Sequence, residues 1–456
     1  MSDDAAFPRN FLKQYPKATR GDGCFLYTAE GRRYLDACGG AAVVTIGHGV
    51  PEVARAIGDQ ASRLAYIHSS QFRTGAADTL AQRILALAPE PMRHGGRVYF
   101  TSGGSEATET AIKLVRQYWL ERSNSKRVRI IARRQSYHGA TLGALALSGN
   151  VRRREPFAPL LSEWGHIVPC FCYRCPLGLQ YPECNIDCAD DLERSLSDNG
   201  GEDVAAFILE PVSGATLGAV APPDGYIERI AEICHRRGIL LIADEIMSGM
   251  GRTGKPFAVE HWGVSPDIIL VGKGIASGYA PLGAVIASGR VVDAIASGSA
   301  AFMHGFTYHA HPVSAAAGNA VLDYIEREKL FARVGPVGKE LGAALGSLKR
   351  FSVVGDVRGM GLLWAIEFVR DAKTREPFPS DARIAARMAE DAFESGVLTY
   401  PMQGCADGTR GDHLLIAPPF TVTSAMIHTI VSALEHAIAE LEKTHLAGAG
   451  TSTARM

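Results

Sequence analysis

The sequence predicts an α/β protein in which a mostly parallel sheet, covered by helices on both faces, is joined to a smaller α+β unit. Three observations carry this reading. Between residues 97 and 287, short apolar runs bounded by polar or glycine residues alternate with helical segments, the pattern of strands buried on both sides. Beyond residue 330 a second group of strand-like runs and helices follows, with its own order. A length of 456 residues suggests two or three domains.

In chain order, residues 23–27 and 33–36 flank a turn at 28–32 and read as a β-hairpin. Residues 51–64 place Val53, Ile57 and Ala61 on one helical face, and 78–87 form a second helix. Strands are expected at 97–100, 128–132, 205–209, 239–243, 267–271 and 282–287, and a long helix at 315–328 leads out of the sheet. The second unit should hold strands at 353–355, 362–368, 397–400 and 414–417 and helices at 383–395 and 425–442. The resulting division is 1–60 and 331–445 for a small domain built from both chain ends, 61–330 for a large domain, and 446–456 for a frayed, disordered tail.

Composition excludes several classes of function. Lys plus Arg number 47 against 48 Asp plus Glu, a net charge of −1, so no basic footprint for nucleic acid or an acidic membrane exists. Hydrophobic residues make up 46% and charged residues 21%, the mix of a soluble globular chain, and no run reaches the roughly 18 apolar residues of a membrane span. The first 14 residues carry Asp3 and Asp4 and no apolar core, unlike a signal peptide. Nine cysteines, an odd number, then fit reduced thiols in the cytoplasm.

Ligands of an open α/β sheet sit beyond the carboxyl ends of its strands. There the first large-domain strand meets Thr101-Ser102-Gly103-Gly104-Ser105-Glu106-Ala107, where glycines admit close backbone approach and a new helix presents free N–H groups, a cradle suited to phosphate. A glycine turn with a serine N-cap explains the same residues without a ligand. Later strands end in Tyr137-His138-Gly139, Glu210-Pro211, Asp244-Glu245 and Gly272-Lys273-Gly274. Singly, Asp244 is explained as a cap, Lys273 as a solvated charge and His138 as a partner for a backbone carbonyl. Jointly they supply what pyridoxal phosphate needs: a lysine for the Schiff base, a carboxylate for the pyridine nitrogen, a phosphate cup and flat packing on the ring.

With Glu210-Pro211-Val212, Asp244-Glu245-Ile246, Gly251-Arg252-Thr253-Gly254 and His304-Gly305-Phe306-Thr307-Tyr308, these motifs make residues 21–441 resemble the class III aminotransferases, the group of ω-amino-acid:pyruvate aminotransferases. The resemblance implies a fold-type I pyridoxal-phosphate transferase and a homodimer or dimer of dimers. It implies ping-pong transfer of an amino group from an amine or amino acid to a keto acid such as pyruvate. Lys273 would be the Schiff-base lysine and proton shuttle, Asp244 the partner of the pyridine nitrogen, and Tyr137 and Ile246 the covers of the ring. Ser102, Gly103, Gly104 and Ser105 would hold the phosphate together with Thr307 of the neighbouring subunit. His138 and Glu210 would complete the cofactor site, Glu210 near the substrate gate. Arg252 reads as an anchor of its loop.

Two departures bear on specificity. Met247 stands where several relatives carry glutamine, so a hydrogen bond to the cofactor's phenolic oxygen is lost or supplied elsewhere. An arginine that many ω-transaminases place after the strand at 397–400 is replaced by Tyr400-Pro401, and a longer loop, 402–412, holds Arg410. Arg410 is therefore the expected carboxylate anchor, hinged by glycines at 404, 408 and 411, with Tyr400 beside the substrate. Cys170, Cys172, Cys175, Cys184 and Cys188 lie within 19 residues, but only part of the run has zinc-like spacing, so reduced loop thiols and no metal are expected. The rival readings are an aminomutase or lyase of the same fold. Outside it stand a nucleotide-binding oxidoreductase, which lacks its Gly-x-Gly-x-x-Gly, and a nonenzymatic phosphate binder.

Overall fold

A computed structural model describes residues 5–198 and 201–452. Strands β1 (Ala18–Asp22), β2 (Phe25–Thr28) and β3 (Arg33–Asp36) form an antiparallel meander, β2 and β3 enclosing the expected turn. Seven strands then build the central sheet: β4 (Arg97–Thr101), β5 (Arg129–Arg133), β6 (Gly165–Ile167), β7 (Val204–Leu209), β8 (Leu240–Asp244), β9 (Ile268–Val271) and β10 (Gly283–Ala287). Their spatial order is β4-β10-β9-β8-β7-β5-β6, and only β10 runs antiparallel to its neighbours. The edge strand β6 is additional to the six read from the sequence, being three residues long with a polar centre.

The apolar runs are strands rather than helix segments because both of their faces are covered. Leu240 and Ile242 of β8 pack with Ala111, Leu114 and Val115 of the helix Gly104–Glu121. Leu241 packs the other way, against Ile227 and Ile230 of the helix Tyr226–Arg237. Every residue of β7, β8, β9 and β10 is buried, which explains why alternation is missing from their sequences.

The remaining strands are β11 (Val354–Met360), β12 (Leu363–Phe368), β13 (Val397–Leu398), β14 (Tyr400–Gln403) and β15 (Asp412–Ile416). The single strand expected at 397–400 divides. β13 pairs in parallel with β3, Val397 opposite Leu35, and so brings the two chain ends into one sheet, while β14 joins the antiparallel sheet β11-β12-β15-β14. The last helix, Ser424–Ser452, runs on through 446–452, where a frayed tail is expected; 453–456 lie outside the described residues. Arg252, fully buried, donates to the carbonyls of Val44, Leu362 and Pro418 and thereby ties the loop after β8 to both chain ends, the anchoring part expected of it.

Candidate active site

The carboxyl ends of β4, β5, β7, β8 and β9 open onto a cavity of about 930 Å³. Its wall holds Ser102, Gly103, Gly104, Ser105, Tyr137, His138, Glu210, Asp244, Ile246, Lys273 and Tyr400, every predicted site residue except Thr307 and Arg410.

Each is placed by local structure. After β4 the Ser102 amide donates to Glu106 Oε2 at 2.8 Å, closing the turn from which the helix Gly104–Glu121 starts with its first amides free of intrahelical partners. A Cβ on Gly104 would stand 2.7 Å from Ile246 Cδ1, so only glycine lets the turn and Ile246 approach this closely. Beyond β5, His138 donates its amide to Ser148 Oγ at 2.8 Å, and its carbonyl accepts from Thr108 Oγ1 at 2.6 Å. The ring is thereby fixed with Nδ1 2.7 Å from Asp244 Oδ2. His138 therefore serves a carboxylate rather than a backbone carbonyl, and both residues are buried. The carboxylate accepts, which puts the proton on Nδ1. The other Asp244 oxygen, Oδ1, accepts from the Ile246 amide at 3.1 Å.

Glu210 ends β7. Its Oε1 accepts from the Gly214 amide at 3.0 Å, its Oε2 from the Tyr137 amide at 3.3 Å, and its carbonyl from buried Arg133 at 2.6 Å. Burial pushes its carboxyl above the ordinary range and Asp244 adds to this, while His138 and Arg133 oppose it. Lys273 follows β9 with φ +44°, a left-handed conformation uncommon for a side-chain-bearing residue and typical of strained functional positions. Its amine has no ion pair or hydrogen bond among the described residues. Burial pushes the ammonium down, Asp244 and Glu210 pull it back, and Arg153 and Arg252 push it further down. A lysine held this way reaches its neutral, nucleophilic form more readily than a solvated one.

Two predicted residues stand elsewhere. Thr307 is exposed, its carbonyl accepting from Tyr66 Oη at 3.0 Å, and it does not line this cavity. Arg410, expected as the carboxylate anchor, does not line the cavity in this chain. Its Nε lies 2.7 Å from Asp407 Oδ2 and its Nη1 3.7 Å from Glu376, at an exposed loop tip away from the cavity wall. Gly404, Gly408 and Gly411 hold left-handed turn positions in a loop closed by hydrogen bonds from the Gly404 amide to the Gly411 carbonyl and from the Ala406 amide to the Arg410 carbonyl. Conversely, Arg152, Arg153, Phe157 and Met247 line the cavity, and sequence reasoning passed over the two arginines because a charge run reads as a solvated face.

The cysteine segment lies apart. Cys170 accepts from Arg133 Nη1 at 3.2 Å, while Cys172, Cys175, Cys184 and Cys188 border a small separate cavity. Among the described residues no group of three or more His, Cys, Asp or Glu side chains is placed to hold a metal ion.

Residues 8–438 match the family model described as aminotransferase class-III. The uncharacterized aminotransferase YodT of Bacillus subtilis is 37% identical over 431 residues, covering 94% of this chain and 96% of its own length. An omega-aminotransferase of Caulobacter vibrioides is 33% identical over 443 residues, with 95% and 96% covered. The solved structure of an amine transaminase from an uncultivated Pseudomonas species, in its PLP-bound form, aligns with a TM-score of 0.88 at 36% identity, covering 96% of this chain and 98% of that one.

Proposed function

The chain belongs to the class III aminotransferases, and on that premise we propose that it binds pyridoxal 5'-phosphate at Lys273. With it the protein moves an amino group from an amine or ω-amino acid to a keto acid such as pyruvate, in a ping-pong cycle. One observation carries the reading: an unpaired lysine of depressed basicity shares one cavity with a buried, histidine-braced carboxylate and a glycine turn of free amides.

The residues fit the cofactor. The Ser102–Ser105 turn offers amides and hydroxyls to a phosphate, and Gly104 leaves room where a Cβ would strike Ile246. The flat ring of Tyr137 and the apolar side chain of Ile246 suit the two faces of a ring. When bound, the cofactor supplies an electron sink for negative charge at the amine-bearing carbon. The chain supplies the rest. Asp244, oriented by His138 and by the Ile246 amide, holds a proton on the pyridine nitrogen. Lys273 would anchor the cofactor and, once released, hold and move a proton on Nζ. Glu210, tied to the Tyr137 and Gly214 amides, steadies the wall on which Tyr137 stands.

The working unit in this proposal is a homodimer in the cytoplasm. Exposed Tyr66 and Tyr308 flank Thr307, their rings 6.0 Å apart and Tyr66 Oη bonded to the Thr307 carbonyl, an aromatic surface that a second copy would cover. All nine cysteines are free, as a reducing compartment would keep them. Among the described residues no helix is long and apolar enough to cross a membrane.

Borohydride reduction of the cofactor-loaded protein, followed by peptide mapping, should tag Lys273. A panel of amines with pyruvate and 2-oxoglutarate should show bleaching by donors and recovery by acceptors. A tag on another lysine, or full transamination by Lys273→Ala, would overturn the assignment. A product isomeric with the donor would point to an aminomutase instead.

A further inference from the structure

We propose that Arg153 binds the carboxylate of the keto-acid acceptor, so that this aminotransferase selects α-keto acids through a residue on the loop after the tyrosine-bearing rim rather than through Arg410. The proposal rests on the transaminase reading above and adds the source of its acceptor preference.

Arg152, Arg153 and Arg154 are consecutive, yet the fold gives them three different fates. They occupy the one-turn helix Val151–Arg154, whose start is fixed by the Asn150 side chain accepting from the Arg153 amide at 3.0 Å. Arg154 turns back to the carbonyls that end the preceding helix, Leu142–Leu147, and bonds Ser148 O at 2.7 Å, a structural use. Arg152 is spent on Gln403 Oε1 of β14. Of the three, only Arg153 lines the cavity with its guanidinium uncommitted: among the described residues it has no ion pair and no side-chain hydrogen bond. Its Cζ lies 4.3 Å from the centroid of the Tyr137 ring.

This geometry has consequences for a substrate. The cation–π contact with Tyr137 consumes none of the guanidinium N–H donors, so the fork is left for a planar anion. The positive charge is also felt at Lys273, so it lies within electrostatic reach of the reacting amine. An acceptor held between the two would present a carboxylate to Arg153 and its carbonyl carbon toward Lys273. The other charged side chains of the wall are Asp244 and Glu210, acids that do not favour a carboxylate, Arg152, which is engaged by Gln403, and Arg9, which is exposed to solvent near the start of the chain; Arg410 is held by Asp407 outside the wall.

The ordinary alternative is that Arg153 merely steadies the Tyr137 ring by cation–π attraction. The two roles separate experimentally, because a displaced ring handicaps every acceptor whereas a missing fork handicaps only carboxylates. Pyruvate and butanal are compared as acceptors from one donor for wild type, Arg153→Gln, Arg153→Lys and Arg410→Ala. Equilibrium binding of propionate to the cofactor-loaded protein is followed through the cofactor absorption band. For Arg153→Gln the ratio of kcat/KM for pyruvate to that for butanal should fall at least tenfold, and propionate should bind at least tenfold more weakly. Arg153→Lys should recover part of both, and Arg410→Ala should leave the ratio within twofold. Equal losses on the two acceptors, unaltered propionate binding, or a ratio that collapses in Arg410→Ala would overturn the proposal. A wild-type protein that aminates neither acceptor would instead refute the transaminase reading itself.

Discussion

Glu245 follows Asp244 in sequence and shares its charge, yet it has a different task and should titrate visibly in stability. It is wholly buried just past the strand and does not line the cavity. Oε1 accepts from the Val259 amide at 2.9 Å and Oε2 from Ser248 Oγ. Burial pushes its carboxyl up from the ordinary 4.5 to about 7, against the lowering effect of the Ser248 and Val259 hydrogen bonds. The native state therefore keeps a proton that the unfolded chain has released between these values. The stability so gained is complete below about pH 4.5 and drains away as pH rises through about 7. From pH 5 to 8 the loss is about 2.5 kcal/mol, integrating the difference in bound protons. Glu245→Gln keeps an oxygen for the Val259 amide and cannot ionise. Urea unfolding of both proteins at pH 5.0, 6.5 and 8.0 should show the variant gaining on the wild type by about that amount across the range. Parallel profiles, or a wild type that gains on the variant as pH rises, would refute the buried-proton argument.

Two further substitutions probe the cofactor site. Gly104→Ala places a Cβ 2.7 Å from Ile246 Cδ1, the movable end of a side chain, so the fold should survive while Ile246 is driven into the cavity. Cofactor affinity, measured by titrating the cofactor-free protein, should drop about tenfold, equivalent to about 1.4 kcal/mol, and an unchanged affinity would remove Ile246 from the ring face. Thr307→Ala should weaken cofactor retention across the dimer by about 1.5–3 kcal/mol, the worth of one hydrogen bond to a charged group. In mixed dimers with Lys273→Ala, one site carries both lesions and the other neither, so activity should persist; a fully dead mixed dimer excludes a shared site.

How much of this was legible in the sequence depended on whether a feature was local. Strands β7 to β10 announced themselves because burial on both faces leaves continuous apolar runs, and the residues just past their ends could be read as a rim. The helix Leu330–Gly346 was not readable, since Pro336 and its glycines look like breakers. Its glycines are packing requirements instead: a Cβ on Gly338 would lie 2.3 Å from the Gly361 carbonyl oxygen, and one on Gly342 would lie 2.2 Å from the Trp364 ring. The same limit governs charge. Nothing local distinguishes Asp244 from Glu245, or Arg153 from its two neighbours, because each residue's role is set by a partner far along the chain. His138, 106 residues away, makes Asp244 a site residue. Gln403, 251 residues away, occupies Arg152 and leaves Arg153 facing the cavity uncommitted. For Arg410 the partner is local: Asp407, three residues off, binds the guanidinium of the loop that was expected to reach the substrate. Candidate site residues can thus be nominated from strand ends, but whether a charge is spent on the fold or kept for a ligand is decided by tertiary partners.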